Sequence, residues 1–237
     1  MSNDYFQFKQ FTIKQDKCAM KVGTDGVLLG AWASVDKAER ILDVGTGTGL
    51  IAIMLAQRSN AQIDAIEIDE EASEQAFDNA STCPWSERIT IYNKSFQEYF
   101  CKDVPKYDLI VCNPPYFSNS LKAPDERRSA ARHDDNFPLE DFFLKCREHL
   151  TGQGKLAIIF PFLDLKENTV LGKENGLLIY RKTIVFPVLH KKPVRCMVQF
   201  SKLCSVLQED EIIIETFKRH NYTKEYKELT KDFYLAF

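Results

Sequence analysis

The chain has 237 residues and nearly balanced charge, 31 Lys+Arg against 34 Asp+Glu for a formal net charge of −3, which excludes nucleic-acid binding by bulk electrostatics and requires a local basic patch for any such partner. With 44% apolar and 27% charged residues it has the composition of an ordinary globular protein, long enough to bury a core without disulfides or metals. No apolar run approaches the roughly 18 residues of a membrane span, so no membrane partner is expected. In chain order, Met1–Gln7 lacks the basic-then-apolar pattern of a signal peptide, and Phe6–Ile13 alternates as a strand does, predicting an N-terminal hairpin or lid. From residue 38, short apolar runs alternate with helical stretches. The runs are Arg40–Val44, Ile63–Ile68, Arg88–Tyr92, Tyr107–Cys112 and Lys155–Phe160. The helices are Leu50–Arg58, Glu70–Cys83 and Leu139–Leu150, the last ending before a Gly152-Gln153-Gly154 stop. Strands alternating with helices imply βαβ units and a parallel sheet covered on both faces. Leu177–Val188 and Pro193–Leu203, joined by a basic turn, predict an antiparallel edge, and Tyr222, Tyr226, Leu229 and Phe233 a short closing helix. The expected architecture is α/β, a doubly wound, mostly parallel seven-stranded sheet spanning 38–237, with residues 1–37 as a hairpin or lid integral to the domain. There is no internal repeat or low-complexity linker.

Asp43-Val44-Gly45-Thr46-Gly47-Thr48-Gly49 closes the first strand of this sheet and opens a helix. Glycines there allow a tight turn and close approach of backbone N–H groups to a ligand. A dinucleotide fingerprint would need glycine where Leu50 stands, so the third glycine comes one residue early and an NAD-binding oxidoreductase is disfavoured. Glu67 follows 18 residues after Gly49, at the predicted carboxyl end of the next strand, where a carboxylate can accept both hydroxyls of a ribose. This glycine spacing, with Asp43 before it, resembles motif I of the class I S-adenosylmethionine-dependent methyltransferases. The resemblance implies that cofactor and the corresponding sheet.

Asn113-Pro114-Pro115-Tyr116 ends the Tyr107–Cys112 run. Two prolines cannot continue a central strand, so the chain must leave the sheet there, at the end where ligands bind. An Asn side-chain oxygen and a prolyl carbonyl can accept both N–H bonds of a conjugated amine, and a Tyr ring can stack on a planar base, contributing about 1–3 kcal/mol. No metal or strong base is needed. The seven cysteines include no Cys-x-x-Cys pair, which disfavours zinc and disulfides and fits a reducing, cytoplasmic setting. None stands next to a proline of this element, which argues against cytosine-C5 chemistry. The element is similar to motif IV of the amino-methyltransferases.

The stretches Phe8–Phe11, Cys18–Trp32, Pro84–Ile89, Ala131–His133, Leu189–Lys191 and Leu229–Leu235 resemble the tRNA1(Val) adenine-N6-methyltransferase family, over nearly the whole chain. That resemblance implies methyl transfer to adenosine 37 in the anticodon loop of tRNA, with Asn113, Pro114, Pro115 and Tyr116 as the catalytic element. It implies that Lys21, Gly23, Thr24 and Asp25 close over the methionine part of the cofactor, beside Asp43, Gly45, Gly47, Gly49, Glu67 and Asn113. Related enzymes carry an Asp against the cofactor adenine where this chain has Ser95; a Ser hydroxyl can still accept from an amino group, and Phe96 either packs on the ring or faces the core. For RNA, Arg181, Lys182, Lys191, Lys192 and Arg195 form a run without acids, and Arg127, Arg128, Arg132 and His133 a second cluster. Arg132, His133, Lys191, Lys192 and Arg195 are the expected RNA contacts. The alternatives are a glutamine-N5 methyltransferase of a protein substrate, which would carry a helical domain before the glycine loop, and an adenine-N6 methyltransferase of another RNA or of DNA. A non-catalytic RNA-binding module would be expected to have lost the amine site.

Overall fold

The computed structural model describes residues 3–101, 103–115 and 138–237. The N-terminal expectation resolves into a hairpin of β1 (Tyr5–Gln7) and β2 (Thr12–Lys14), antiparallel with Phe6 opposite Ile13. The turn between them buries Phe8 and Phe11 face to face, ring centroids 4.7 Å apart. Helix α1 (Thr24–Trp32) follows, buried from Gly26 onward. It lies so close to α2 (Leu50–Arg58) that a Cβ on Gly30 would sit 2.8 Å from the Met54 sulfur. Glycine is required there by space, not by backbone angle.

The main sheet runs β10-β8-β9-β7-β6-β3-β4-β5. Its strands are β3 (Arg40–Val44), β4 (Gln62–Glu67), β5 (Ile89–Asn93), β6 (Tyr107–Cys112), β7 (Leu150–Pro161), β8 (Leu178–Val188), β9 (Arg195–Ser201) and β10 (Gln208–Glu215). All neighbours are parallel except β9, which is antiparallel to both β7 and β8. Winding outward from β3 in one direction and from β6 in the other puts the reversal of strand order between β3 and β6, where doubly wound sheets open a ligand crevice at their carboxyl ends.

Two apolar cores sandwich the sheet. One joins α1 and α2 to Ile41, Ile63, Leu109 and Met197. The other packs Phe96, Phe142, Phe143 and Phe200, from α4 (Phe96–Phe100), α5 (Leu139–His149) and β9, against Ile110 and Ile158. Each such aromatic contributes on the order of 1.5–3 kcal/mol when fully buried. Helix α3 (Glu70–Thr82) packs beside β5 and α6 (Leu165–Glu174) beside β8, and α7 (Lys224–Thr230) closes the chain.

Three local differences from the sequence reading have physical causes. Among the described residues the sheet has eight strands, not seven. The unexpected β10 begins with the exposed run Gln208-Glu209-Asp210-Glu211, which hides its alternation but suits an outer strand, where charge deters further pairing. The antiparallel strand β9 therefore lies two places in from the edge. Finally, β7 begins at Leu150 and runs through Gly152 and Gly154 instead of starting after them. A Cβ on Gly154 would stand 2.7 Å from the Tyr107 carbonyl, at the point where the β6–β7 register shifts. Glycine marks a close backbone approach within the strand, not a helix stop.

Candidate active site at the carboxyl end of the sheet

Register fixes the site. Val44 pairs with Ile66 on one side and Cys112 on the other, so Glu67, Gly45 and Asn113 leave three adjacent strands side by side, about 4.8 Å apart per strand. Gly45, Gly47 and Gly49 have φ of 70°, 56° and 81°, in the left-handed region that favours glycine. The space above Gly45 and Gly47 is open, whereas a Cβ on Gly49 would meet the Ala76 backbone at 3.4 Å. Gly45 and Thr46 donate to the Ile66 carbonyl at 2.9 and 3.0 Å, which ties the loop to β4.

Two carboxylates hold the loop from opposite sides. Asp43 is buried; its Oδ2 accepts from the Thr46 hydroxyl at 2.6 Å and from Ala52 N–H at 3.1 Å. Its Oδ1 has no partner among the described residues. Burial pushes Asp43 up to about 7, against the pull of those hydrogen bonds. Glu67 accepts from Gly47 N–H at 2.8 Å and Asp69 N–H at 3.1 Å, and burial raises it as well. A carboxylate offers about four lone-pair positions, so Glu67 retains acceptors for a diol while it braces the loop. Open glycines, an unpartnered buried oxygen beneath them and a half-used carboxylate beside them fit a ligand carrying a cationic amino group and a ribose. Ile68, next to Glu67, is an apolar side chain 72% exposed to solvent. The sequence reading did not single it out.

The first turn of α1 packs against the start of α2, next to the loop: a Cβ on Gly26 would be 3.2 Å from the Leu50 side chain. Gly23 is the N-cap of α1 in an extended conformation, Lys21 Nζ donates to the Asn3 carbonyl at 3.1 Å, and Thr24 is exposed. Asp25 accepts from Arg195 Nε at 2.7 Å. Two residues missed in the sequence position this segment. Asn79 of α3, 1% exposed, exchanges hydrogen bonds with the Lys14 backbone and also donates to the Thr48 carbonyl, each at 2.9 Å. Gln75 accepts from Lys17 and Cys18 N–H groups. Both look like ordinary polar residues of an amphipathic helix, and no signal in the sequence marks them.

Asn113 is half-buried, Pro114 buried and Pro115 exposed; Tyr116, Arg132 and His133, with Arg127 and Arg128, lie outside the described residues. The Cys112 thiol beside Asn113 is buried and pushed well up by desolvation, so it is held neutral.

Ser95 is engaged in a helix cap, and of the two positions expected for Phe96 the structure shows the core-facing one. Ser95 caps α4 in a reciprocal box with Glu98: its hydroxyl donates to Glu98 Oε2 at 2.9 Å and accepts from Glu98 N–H at 3.2 Å. Phe96 is buried in the core, edge-on to Phe142 at 5.5 Å. The basic run also divides. Lys182 pairs with Glu209 at 3.0 Å and Arg181 lies 3.8 Å from Asp210, both acids of the unforeseen β10, and Arg195 is bound to Asp25. Lys191 and Lys192 are exposed in the β8–β9 turn and form no ion pair among the described residues. Because β9 is antiparallel to both neighbours, that turn emerges at the same end of the sheet as Asn113. No group of His, Cys, Asp and Glu among the described residues could hold a metal, and no described helix is long and apolar enough to cross a membrane.

Residues 22–174 match the family described as Methyltransferase small domain, and the chain belongs to that family. Among solved structures it resembles a predicted O-methyltransferase from Agrobacterium tumefaciens, with TM-score 0.66 and 20% identity over 88% of this chain and 96% of that one. It also resembles a putative RNA methyltransferase from Pyrococcus horikoshii, with TM-score 0.56 and 15% identity over 80% and 89%; at these identities the likeness shows the class I fold. The chain is an S-adenosylmethionine-dependent methyltransferase. More particularly, it belongs to the tRNA1(Val) (adenine(37)-N6)-methyltransferase family. Proteins of that name from Parabacteroides distasonis and Trichodesmium erythraeum are 47% and 45% identical to it, over 99% of both chains and over the full length of both, respectively.

Proposed function

We propose that the chain methylates N6 of adenosine 37 in tRNA1(Val), in the cytoplasm, on a base flipped out of the anticodon loop. The observation that carries the reading is the side-by-side exit of Glu67, Gly45 and Asn113 from β4, β3 and β6. S-adenosylmethionine supplies a methyl group on a positively charged sulfur. Gly45, Gly47 and Gly49 with Asp43 shape the floor beneath it, Glu67 takes the ribose hydroxyls, and Lys21 through Asp25 cover the methionine end. Across the strand junction, Asn113 and the Pro114 carbonyl accept the two N–H bonds of the adenine amine, while Pro115 turns the chain and Tyr116 stacks on the base.

These acceptors turn the nitrogen lone pair toward the methyl carbon. Bound S-adenosylmethionine would supply the methyl carbon and keep the sulfur's electron pair as it leaves, and the amine held by Asn113 and the Pro114 carbonyl would release its proton to solvent. Two neutral hydrogen bonds contribute only about 0.5–1.5 kcal/mol each, so alignment, with up to roughly 7–11 kcal/mol available, is the larger effect. A neutral, buried Cys112 supports attack by an amine over ring-carbon chemistry through a thiolate. Lys191 and Lys192, with Arg132 and His133, receive the RNA backbone. The pairing of Arg195 with Asp25 favours a structural link over a phosphate contact.

The test is product identification. The protein is incubated with labelled cofactor and, separately, unmodified tRNA, release factor and duplex DNA, and each product is digested. Label on N6-methyladenosine from tRNA is expected. Label on glutamine or DNA and not on RNA would overturn the substrate.

A further inference from the structure

We propose that the loop 216–221, which follows β10, is a second tRNA-contacting element, with Phe217 stacking on an unpaired base and Lys218 and Arg219 meeting phosphates. The inference rests on the tRNA reading above and extends it to a surface that the sequence reading did not single out. Phe217 is 74% exposed, and Lys218, Arg219 and His220 are exposed with it. A large aromatic left in solvent among cations suits single-stranded nucleic acid, because every base offers a ring face and every nucleotide a phosphate.

The loop is built to present these side chains. Thr216 N–H and its hydroxyl both donate to the Asn221 carbonyl, at 2.8 and 3.1 Å, and Asn221 N–H donates to Lys218 O at 3.0 Å. His220 takes φ 66°, with its N–H on Glu215 Oε1 at 2.8 Å. The nearby carboxylate is thus engaged with the loop backbone. Such an ordered tip loses little conformational freedom on binding.

Position supports the same partner. Glu215 pairs with Val188 in the parallel β8–β10 ladder, and Leu189 N–H donates to Glu215 O at 3.3 Å. The loop therefore emerges beside the Lys191-Lys192 turn, at the end of the sheet where Asn113 leaves. His190 and Phe217 approach to 5.9 Å between ring centroids and join the two loops into one surface. Neither Lys191, Lys192, Lys218 nor Arg219 has an ion-pair partner among the described residues. Four strand spacings separate β10 from β6, about 19 Å. Nucleotides held at this tip are thus not the methylated one but others of the same folded RNA.

The experiment compares the full chain with Phe217→Ala, Phe217→Trp and Lys218→Ala/Arg219→Ala, measuring Kd and KM for an unmodified tRNA transcript across salt concentrations. Binding of the demethylated cofactor product, followed by calorimetry, reports an intact fold. Phe217→Ala is expected to weaken tRNA binding about tenfold and raise KM in parallel, Phe217→Trp to restore both. The double variant should reduce the slope of log K against log salt by roughly 1.4–1.8. If the parent chain binds and methylates tRNA while the Ala variants match its Kd and slope, this inference is overturned and the tRNA reading stands. If Phe217→Trp stays as weak as Phe217→Ala, stacking is overturned. If the parent chain neither binds nor methylates tRNA, both readings fall.

Discussion

Replacing Asn79 by Ala isolates the link between the N-terminal hairpin and the glycine loop. The side chain makes three hydrogen bonds of 2.9 Å, two to the Lys14 backbone and one to the Thr48 carbonyl. Lys14 is exposed, so water can take over its N–H and carbonyl at about 0.5–1.5 kcal/mol per bond, the ordinary net value. Thr48 is 5% exposed, and its stranded carbonyl costs about 1–3 kcal/mol more. A destabilisation of about 2–6 kcal/mol is expected, measured by urea unfolding, with Tm lowered roughly 4–24 °C for a chain of this size. Cofactor affinity, measured by calorimetry below the new transition, should fall with it, because Thr48 belongs to the loop. Asn79→Asp, which keeps the acceptor for Lys14 but cannot donate to Thr48, should lose comparable loop affinity. Unchanged cofactor binding together with a stability loss under about 0.5 kcal/mol would refute the link.

Three further predictions follow from the site. Asn113→Ala should abolish methyl transfer while cofactor affinity stays within a few fold; lost cofactor binding instead would remove Asn113 from the amine pocket. Asp43, held at about 7 by burial against its ordinary 3.8, binds a proton in the folded chain that the unfolded chain releases near pH 4. Its contribution to stability should therefore be greatest at the acid end and decline as pH rises from about 4 to 7. Asp43→Asn should flatten that dependence in unfolding curves from pH 5 to 8, and parallel curves for the two proteins would contradict it. Lys191→Ala/Lys192→Ala should lower the salt slope of tRNA binding by roughly 1.4–1.8; an unaltered slope would take that turn out of the interface.

The floor of the site was legible because its signals are local. Three glycines at a strand end need left-handed backbone, prolines force an exit, and the strand runs carrying Glu67 and Asn113 were placed within a residue of their observed ends. What stayed hidden depends on contacts between distant residues. Arg181, Lys182 and Arg195 read as free cations because Asp210, Glu209 and Asp25 reach them only through sheet pairing and helix packing. The strand carrying two of those acids was itself masked by them. Asn79 and Gln75 sit at polar positions of an amphipathic pattern, and only the fold buries them. Ser95 is different: Ser95-Phe96-Gln97-Glu98 spells a capping box, so its engagement with Glu98 is legible in the sequence itself.

The Asp25–Arg195 pair joins the first turn of α1 to the strand that follows the basic turn. RNA seated on the neighbouring Lys191-Lys192 turn would load this pair through the strand that carries Arg195, without replacing it, and would shift the segment that carries Asp25. Linkage then works in both directions by the same factor. Donor affinity measured with and without RNA, in the parent chain and in Arg195→Ala, would reveal whether this single bond makes the two substrates sense each other.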